Sequence, residues 1–98
     1  MQFPLFFDAV PPLVVRDPLA ETLGAADDGV IEYRYLDAVK LAGHSCPTVA
    51  GAWLMTVKAL ARLYGDERLR RGEVRVELRQ PHDEGVAGVI GNVAGLLT

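Results

Sequence analysis

The long amphipathic run between Pro47 and Tyr64 constrains the fold of this chain more than any other feature of its sequence. Proline suits the first position of a helix because the N–H that it lacks would be unpaired there, and Gly65 is a typical residue at which a helix ends. The apolar residues of the run recur at i, i+3 and i+4 spacing, which places them on one face: Val49, Trp53, Val57, Leu60, Ala61 and Tyr64. The run therefore predicts a central helix with one face in the core.

Two stretches show the alternation of apolar and polar residues that is typical of strands with one exposed face. The first is residues 30–35, VIEYRY, which can also open the following helix early, and the second is residues 73–79, EVRVELR. In the second stretch the apolar side chains would face a core while the charged side chains face water. Both stretches are predicted to be strands of a small sheet.

Shorter helices are predicted from their ends. Asp17-Pro18 is a typical helix start, and Gly24 is positioned to end that helix. A second short helix over residues 36–42 has apolar residues at helical spacing and stops at Gly43. These patterns place two short helices before the central one.

The last predicted helix, over residues 86–97, carries three glycines on one side: Gly88, Gly91 and Gly95. Each glycine costs about 1 kcal/mol relative to alanine inside a helix. Because three glycines on one face are costly, the pattern predicts that something approaches this face closely. The candidates are the backbone of a packed helix, a second protomer or a ligand.

The whole pattern predicts an α+β fold in a small single domain, residues 1–98, with the long central helix packed on a short β-sheet. Residues 1–16 are apolar and interrupted by prolines, which predicts an irregular arm across the core or a neighbouring protomer. The chain stops at Thr98 without a polar cap, which leaves open whether the domain continues beyond it.

Composition narrows the classes of partner. Hydrophobic residues make up 50% of the chain, an apolar surplus that predicts a homodimer through the arm or the glycine face. A net charge of −3 and the lack of a basic run argue against nucleic acid, and no apolar stretch is long enough for a membrane span. A lone cysteine and an N-terminus without a basic region before its apolar residues predict a cytoplasmic protein.

The chemistry is concentrated in the link before the central helix. His44 and Cys46 lie two residues apart, so in an extended link both side chains face the same side. Imidazole and thiolate both bind zinc and similar ions, and a thiolate at the N-terminus of a helix is favoured by the helix dipole. The spacing predicts two ligands of one divalent metal ion, which can be zinc, iron or another borderline metal.

Further ligands must come from elsewhere, because structural zinc takes four protein ligands and catalytic zinc usually three. The third predicted ligand is His82, the only other histidine. Asp83 and Glu84 follow it and are candidates for a fourth ligand or a general base, although adjacent acids also commonly begin a helix.

Other interpretations remain open on the sequence alone. Cys46 can be a small buried residue and His44 a hydrogen-bonded loop residue. Cys46 can instead be a nucleophilic or redox thiol, activated by the helix N-terminus and His44. The sequence does not decide between a metal-dependent enzyme acting on a small molecule and a non-catalytic oligomerising or interaction domain.

Residues 41–47, LAGHSCP, followed by Gly51 and a long helix, resemble the FmdE-like family of formylmethanofuran dehydrogenase components, whose hallmark is a GHxCPG-type segment. The resemblance covers roughly residues 35–98. It implies an α+β domain, usually dimeric, in which His44 and Cys46 help bind a metal, commonly zinc. It implies an accessory or metal-dependent role in a redox or one-carbon system, not the dehydrogenase reaction itself. Thr48 stands where the family has glycine, and residues 81–85 lack the cysteine that such proteins often carry there.

Overall fold

The central helix is present with the predicted bounds in the computed structural model, which describes residues 3–81 and 85–98. This helix, α3, spans Pro47–Tyr64, with Cys46 as its N-cap residue and Gly65 after its end. Five of its side chains are buried along one face: Val49, Ala52, Trp53, Thr56 and Leu60. Val57 and Tyr64 of the predicted face are partly buried against the core, but Ala61 is exposed. The i, i+3 and i+4 pattern thus predicted the extent of the helix and most of the face that enters the core.

The sheet has three strands in the order β2-β1-β3. Its central strand is β1, Leu13–Arg16, which pairs antiparallel with β2, Val30–Tyr33, and parallel with β3, Leu69–Arg70. Val15 lies opposite Ile31 on one side and Leu69 on the other, and it is 1% exposed. Together with the helices, the sheet forms the predicted α+β fold.

The remaining helices are α1, Pro18–Thr22, α2, Tyr35–Ala42, and α4, Ala87–Leu97. The Asp17 side chain caps α1 by accepting hydrogen bonds from two backbone N–H groups. Gly43 follows α2 with a φ of 83°, a conformation that glycine adopts without a Cβ clash. Among the described residues, no helix is long and apolar enough to cross a membrane.

The N-terminal segment is more regular than the arm predicted for residues 1–16. Leu5–Ala9 forms a short 3-10 helix, and Leu13–Arg16 is the central strand of the sheet. Prolines occupy positions 11 and 12, so the residues that follow retain the N–H groups that a sheet requires. The prediction of an irregular arm was therefore wrong for β1.

The strand predicted over residues 73–79 is absent, and the third strand is the shorter β3 immediately before it. Gly72, with a φ of 88°, turns the chain away from the sheet, and its N–H donates to the carbonyl oxygen of Thr98 at 2.6 Å. In the described part of the chain, residues 74–79 form no backbone–backbone hydrogen bond. The alternating pattern was correct about exposure of the charges but wrong about pairing within the chain.

Arg71 links the end of α4 to the start of α1 through hydrogen bonds. Its guanidinium donates to the carbonyl oxygens of Leu96 at 3.1 Å and Gly95 at 3.3 Å, and to Asp17 Oδ2 at 3.1 Å. These bonds satisfy carbonyls that a helix end leaves without a partner. Gly95 itself is exposed, and a Cβ there would meet nothing within 4 Å, so within the described residues no packed helix approaches this glycine. Its contact with a second protomer or a ligand stays a prediction.

Candidate functional site

The candidate site lies in the short link between α2 and α3. Gly43 follows the end of α2 and Pro47 begins α3, so only residues 43–46 connect the two helices. Cys46 has extended backbone angles, φ −152° and ψ 170°. The two helix ends therefore hold His44 and Cys46 in a short connection that has little freedom to rearrange.

His44 is exposed, and its ring is oriented by the backbone of α2. Its Nδ1 lies 3.1 Å from the carbonyl oxygen of Ala42. Because a carbonyl oxygen only accepts, this hydrogen bond requires a proton on Nδ1. A neutral ring then carries its free lone pair on Nε2, which is the arrangement common among histidines that bind metals.

Cys46 is half-buried and packs against the core. The backbone N–H of Val49 is the largest influence that lowers the pKa of its thiol, and burial opposes it. The N–H of Thr48 and the side chain of His44 lower this pKa further. The amide groups act as the positive end of α3, although neither completes a hydrogen bond of ordinary length to the sulfur. The start of α3 thus stabilises the thiolate relative to that of an ordinary cysteine.

A pocket of about 400 Å³ opens beside the Cys46 side chain. Most of its wall is apolar, and its lining includes Phe6, Phe7, Val10, Tyr35, Trp53 and Leu54. Its rings stack edge to face in a row, with centroids 4.8 Å apart from Phe6 to Phe7, 5.3 Å from Phe7 to Tyr35 and 6.0 Å from Tyr35 to Trp53. Such a wall suits an apolar or aromatic small molecule.

One polar pair interrupts the apolar wall. The hydroxyl of Tyr35 lies 2.8 Å from Ser45 Oγ, where either oxygen can donate. Ser45 is thereby tied to the start of α2, while its neighbours His44 and Cys46 interact with each other. This hydrogen bond fixes the centre of the link.

The structure brings together two of the predicted metal ligands, His44 and Cys46. The predicted third ligand, His82, and the acids Asp83 and Glu84 lie outside the described residues. Among the described residues, no three His, Cys, Asp or Glu side chains form a group that could hold a metal ion. The described part of the site is therefore a pair of donors beside an apolar pocket.

The pocket was not predicted from the sequence. Its wall combines the N-terminal 3-10 helix with α2 and α3, and no local pattern connects residues so far apart in the chain. The one available signal was the prediction that the apolar N-terminal residues lie across the core. Comparisons with protein families, curated proteins and solved structures found no match, so the residues of the site themselves must indicate its function.

Proposed function

We propose that this chain is a metal-binding domain in which His44 Nε2 and Cys46 Sγ are two ligands of one divalent ion, with zinc as the expected ion. The observation that carries the proposal is the hydrogen bond from His44 Nδ1 to the Ala42 carbonyl, which leaves the Nε2 lone pair free on a side chain that also lowers the pKa of the Cys46 thiol. A backbone carbonyl that fixes the ring and tautomer of a ligating histidine is a common support of metal sites. Imidazole and thiolate both suit zinc.

The proposed ligand set is completed by His82, with Asp83 or Glu84 as a fourth ligand or general base. The resemblance to the FmdE-like family supports the pair His44 and Cys46. The proposal includes a cytoplasmic homodimer, because a lone thiol stays reduced in the cytoplasm and the chain exposes large apolar side chains such as Leu5 and Phe6.

The residues of the site have separable roles in this proposal. His44 and Cys46 bind, the Tyr35–Ser45 hydrogen bond orients the link, and the apolar wall excludes water and holds a small molecule. A metal bound here supplies Lewis acidity or an activated water if one coordination position stays open, and a rigid crosslink if none does. The number of protein ligands therefore distinguishes an enzyme from an accessory protein.

Elemental analysis of the purified protein is expected to find about one zinc per chain, or one per two chains if a second copy completes the site. The variants His44→Ala and Cys46→Ser each remove a direct ligand and should weaken zinc binding by more than about 100-fold, since loss of even a supporting residue commonly costs 10–100-fold. Competition with a chromophoric chelator measures this loss.

The control is Ser45→Ala, which lies between the two ligands but bonds to Tyr35 instead of binding metal. It should keep the zinc stoichiometry and weaken binding by at most about 10–100-fold, because its hydrogen bond only orients the link. His82→Ala tests the third ligand separately, because it should weaken binding only if His82 coordinates the ion. A folded wild-type protein that takes up no zinc, or a Cys46→Ser variant with unchanged stoichiometry and affinity, would refute the metal site.

A second candidate function is supported by the apolar pocket beside Cys46. In this alternative the thiol gives its proton to His44 Nε2, and the thiolate sulfur adds to the carbon of a polarised C=O or C=C bond in a small apolar molecule. The π bond breaks, its electron pair moves to the other atom of that bond, and this atom takes the proton back from His44. Atoms and electrons balance without an oxidant or a metal. Trp53 is the only tryptophan and lines the pocket, so its fluorescence reports occupancy.

The thiol of Cys46 is expected to react with iodoacetamide at lower pH in the folded protein than in the unfolded chain. The thiolate is the nucleophile, so the rate rises with pH through the thiol pKa, which the N–H of Val49 and the other groups at the helix start lower in the folded state. The measurement is the alkylation rate against pH, with the protein in denaturant as the control. Coincident midpoints would show that the helix start does not activate Cys46.

A further inference from the structure

The segment of residues 73–79 has the sequence of a strand but no partner strand in the described part of the chain. Val74 is half-buried, while Val76 is 45% and Leu78 is 36% exposed. These side chains line a groove of about 280 Å³ against α3 and α4. Residues 74–78 belong to no helix, turn or strand, and backbone N–H and C=O groups without hydrogen bonds to the described chain are a template for strand pairing.

We propose that residues 73–79 pair antiparallel with the same segment of a second copy of this chain, about a two-fold axis at Val76. The sequence EVRVELR is complementary to itself in that register. Glu73 then lies opposite the partner's Arg79, and Arg75 lies opposite the partner's Glu77. By symmetry each pair occurs twice, so all four charges of each segment face an opposite charge.

The apolar residues match in the same register. Val74 lies opposite the partner's Leu78, and Val76 lies opposite the partner's Val76. Apolar side chains thus share one face and charges share the other, which is the requirement for a ribbon with one buried side. A slip by one residue would place apolar side chains against charged ones and remove this match.

Charge also excludes slips by two residues. In one direction, Glu73 would face the partner's Glu77 and Arg75 would face the partner's Arg75. In the other direction, Glu77 would face the partner's Glu77, and Arg75 the partner's Arg79. Like charges directly opposite each other are destabilising, so the central register is selected over both neighbours.

The single chain offers little competition for this pairing. Arg75 and Glu77 form an ion pair of 2.9 Å with each other, but their side chains are 87% and 72% exposed. An ion pair so accessible to water contributes little. Met55 and Leu63 line the same groove and are 57% and 66% exposed, so a partner that seats on it has apolar surface to cover.

This inference rests on the proposal that the protein forms a homodimer, not on the metal site. It assigns the dimer surface to residues 73–79 in place of the N-terminal arm or the glycine face.

The test is sedimentation equilibrium in the presence of a chelator. Each single variant, Arg75→Glu or Glu77→Arg, turns two attractive cross-strand pairs into repulsive ones. Each should raise the dimer dissociation constant by at least about tenfold.

Two combinations restore complementarity. An equimolar mixture of the Arg75→Glu and Glu77→Arg proteins should form a heterodimer, because every charge in the register again faces its opposite. The double variant Arg75→Glu/Glu77→Arg should dimerise as the wild type does. Arg68→Glu changes the net charge as Arg75→Glu does but lies on an exposed connector outside the segment, and it should leave the dissociation constant unchanged.

The possible results distinguish an error in the assigned surface from a lack of self-association. A wild-type dimer that both single variants leave intact would overturn the assigned surface while self-association stands. A wild-type protein that remains monomeric at every concentration would overturn both. Single variants that dissociate but form no heterodimer on mixing would overturn the antiparallel register. Circular dichroism of each variant should match the wild type, because the substituted side chains are exposed.

Discussion

Replacement of Trp53 by alanine is expected to lower the free energy of unfolding by about 3–5 kcal/mol. Trp53 lies in the middle of α3, is 2% exposed and is the largest of the fully buried side chains. It packs edge to face on Tyr35, with ring centroids 6.0 Å apart. Removing the indole loses its burial from water, the ring contact and the packing around the space that remains.

Urea denaturation followed by far-UV circular dichroism measures this loss, because Trp53 is the only tryptophan and fluorescence disappears with it. Domains of this size are stable by only about 5–15 kcal/mol, so the alanine variant loses a large share of that stability. Trp53→Phe keeps an aromatic ring in the core and should cost about 1–2 kcal/mol. It provides a folded variant if the alanine protein does not fold.

The matched control is Leu54→Ala on the same helix. Leu54 also lines the pocket beside Cys46, but it is 52% exposed. Its truncation should cost less than about 1 kcal/mol. If Trp53→Ala and Leu54→Ala destabilise the protein equally, the hydrophobic core does not depend on Trp53 as its burial indicates.

The features that the sequence predicted correctly are those decided by residues close together in the chain. Pro47 and Gly65 mark the ends of α3, and Asp17 and Gly43 mark ends of α1 and α2. Caps and stops act within one helical turn, so their signals survive without knowledge of the tertiary structure. The proximity of His44 and Cys46 belongs to the same category, because the link of four residues, 43–46, permits few arrangements.

The strands were harder to predict because a strand is defined by a partner distant in sequence. Residues 73–79 alternate more regularly than any other segment, yet the central strand is Leu13–Arg16, close behind two prolines. Alternation shows which face a segment can bury, but not whether an edge is available to pair with it. The turn at Gly72, whose N–H is hydrogen-bonded to Thr98, directs residues 73–79 away from the sheet.

The pocket beside Cys46 escaped prediction for a related reason. Its wall joins Phe7, Tyr35 and Trp53, which come from three different elements. Each of these residues is explained locally as part of an apolar face. Only the packing of the N-terminal 3-10 helix against α2 and α3 turns them into one wall, and no spacing in the sequence encodes that contact.

Replacement of Gly29 by alanine is expected to lower the free energy of unfolding by about 2–4 kcal/mol. Gly29 precedes β2 with a φ of 71°, where a Cβ is strained against its own backbone. A Cβ here would also lie 2.6 Å from the carbonyl oxygen of Asp17. That backbone cannot easily retreat, because the N–H of Asp17 donates to the carbonyl oxygen of Gly29 at 2.7 Å.

Gly24→Ala separates the two causes, because Gly24 has nearly the same φ, 72°, but a Cβ there would meet nothing within 4 Å. This variant should lose about 1 kcal/mol of unfolding free energy. Alanine adds backbone strain in the folded protein, and this is partly offset because alanine also lowers the conformational entropy of the unfolded chain. Thermal unfolding of both variants by circular dichroism gives the comparison. The excess loss in Gly29→Ala measures the clash with Asp17, and equal losses would mean that β2 shifts freely relative to the start of α1. A clear excess would show that this contact fixes β2 against β1, the strand at the centre of the sheet.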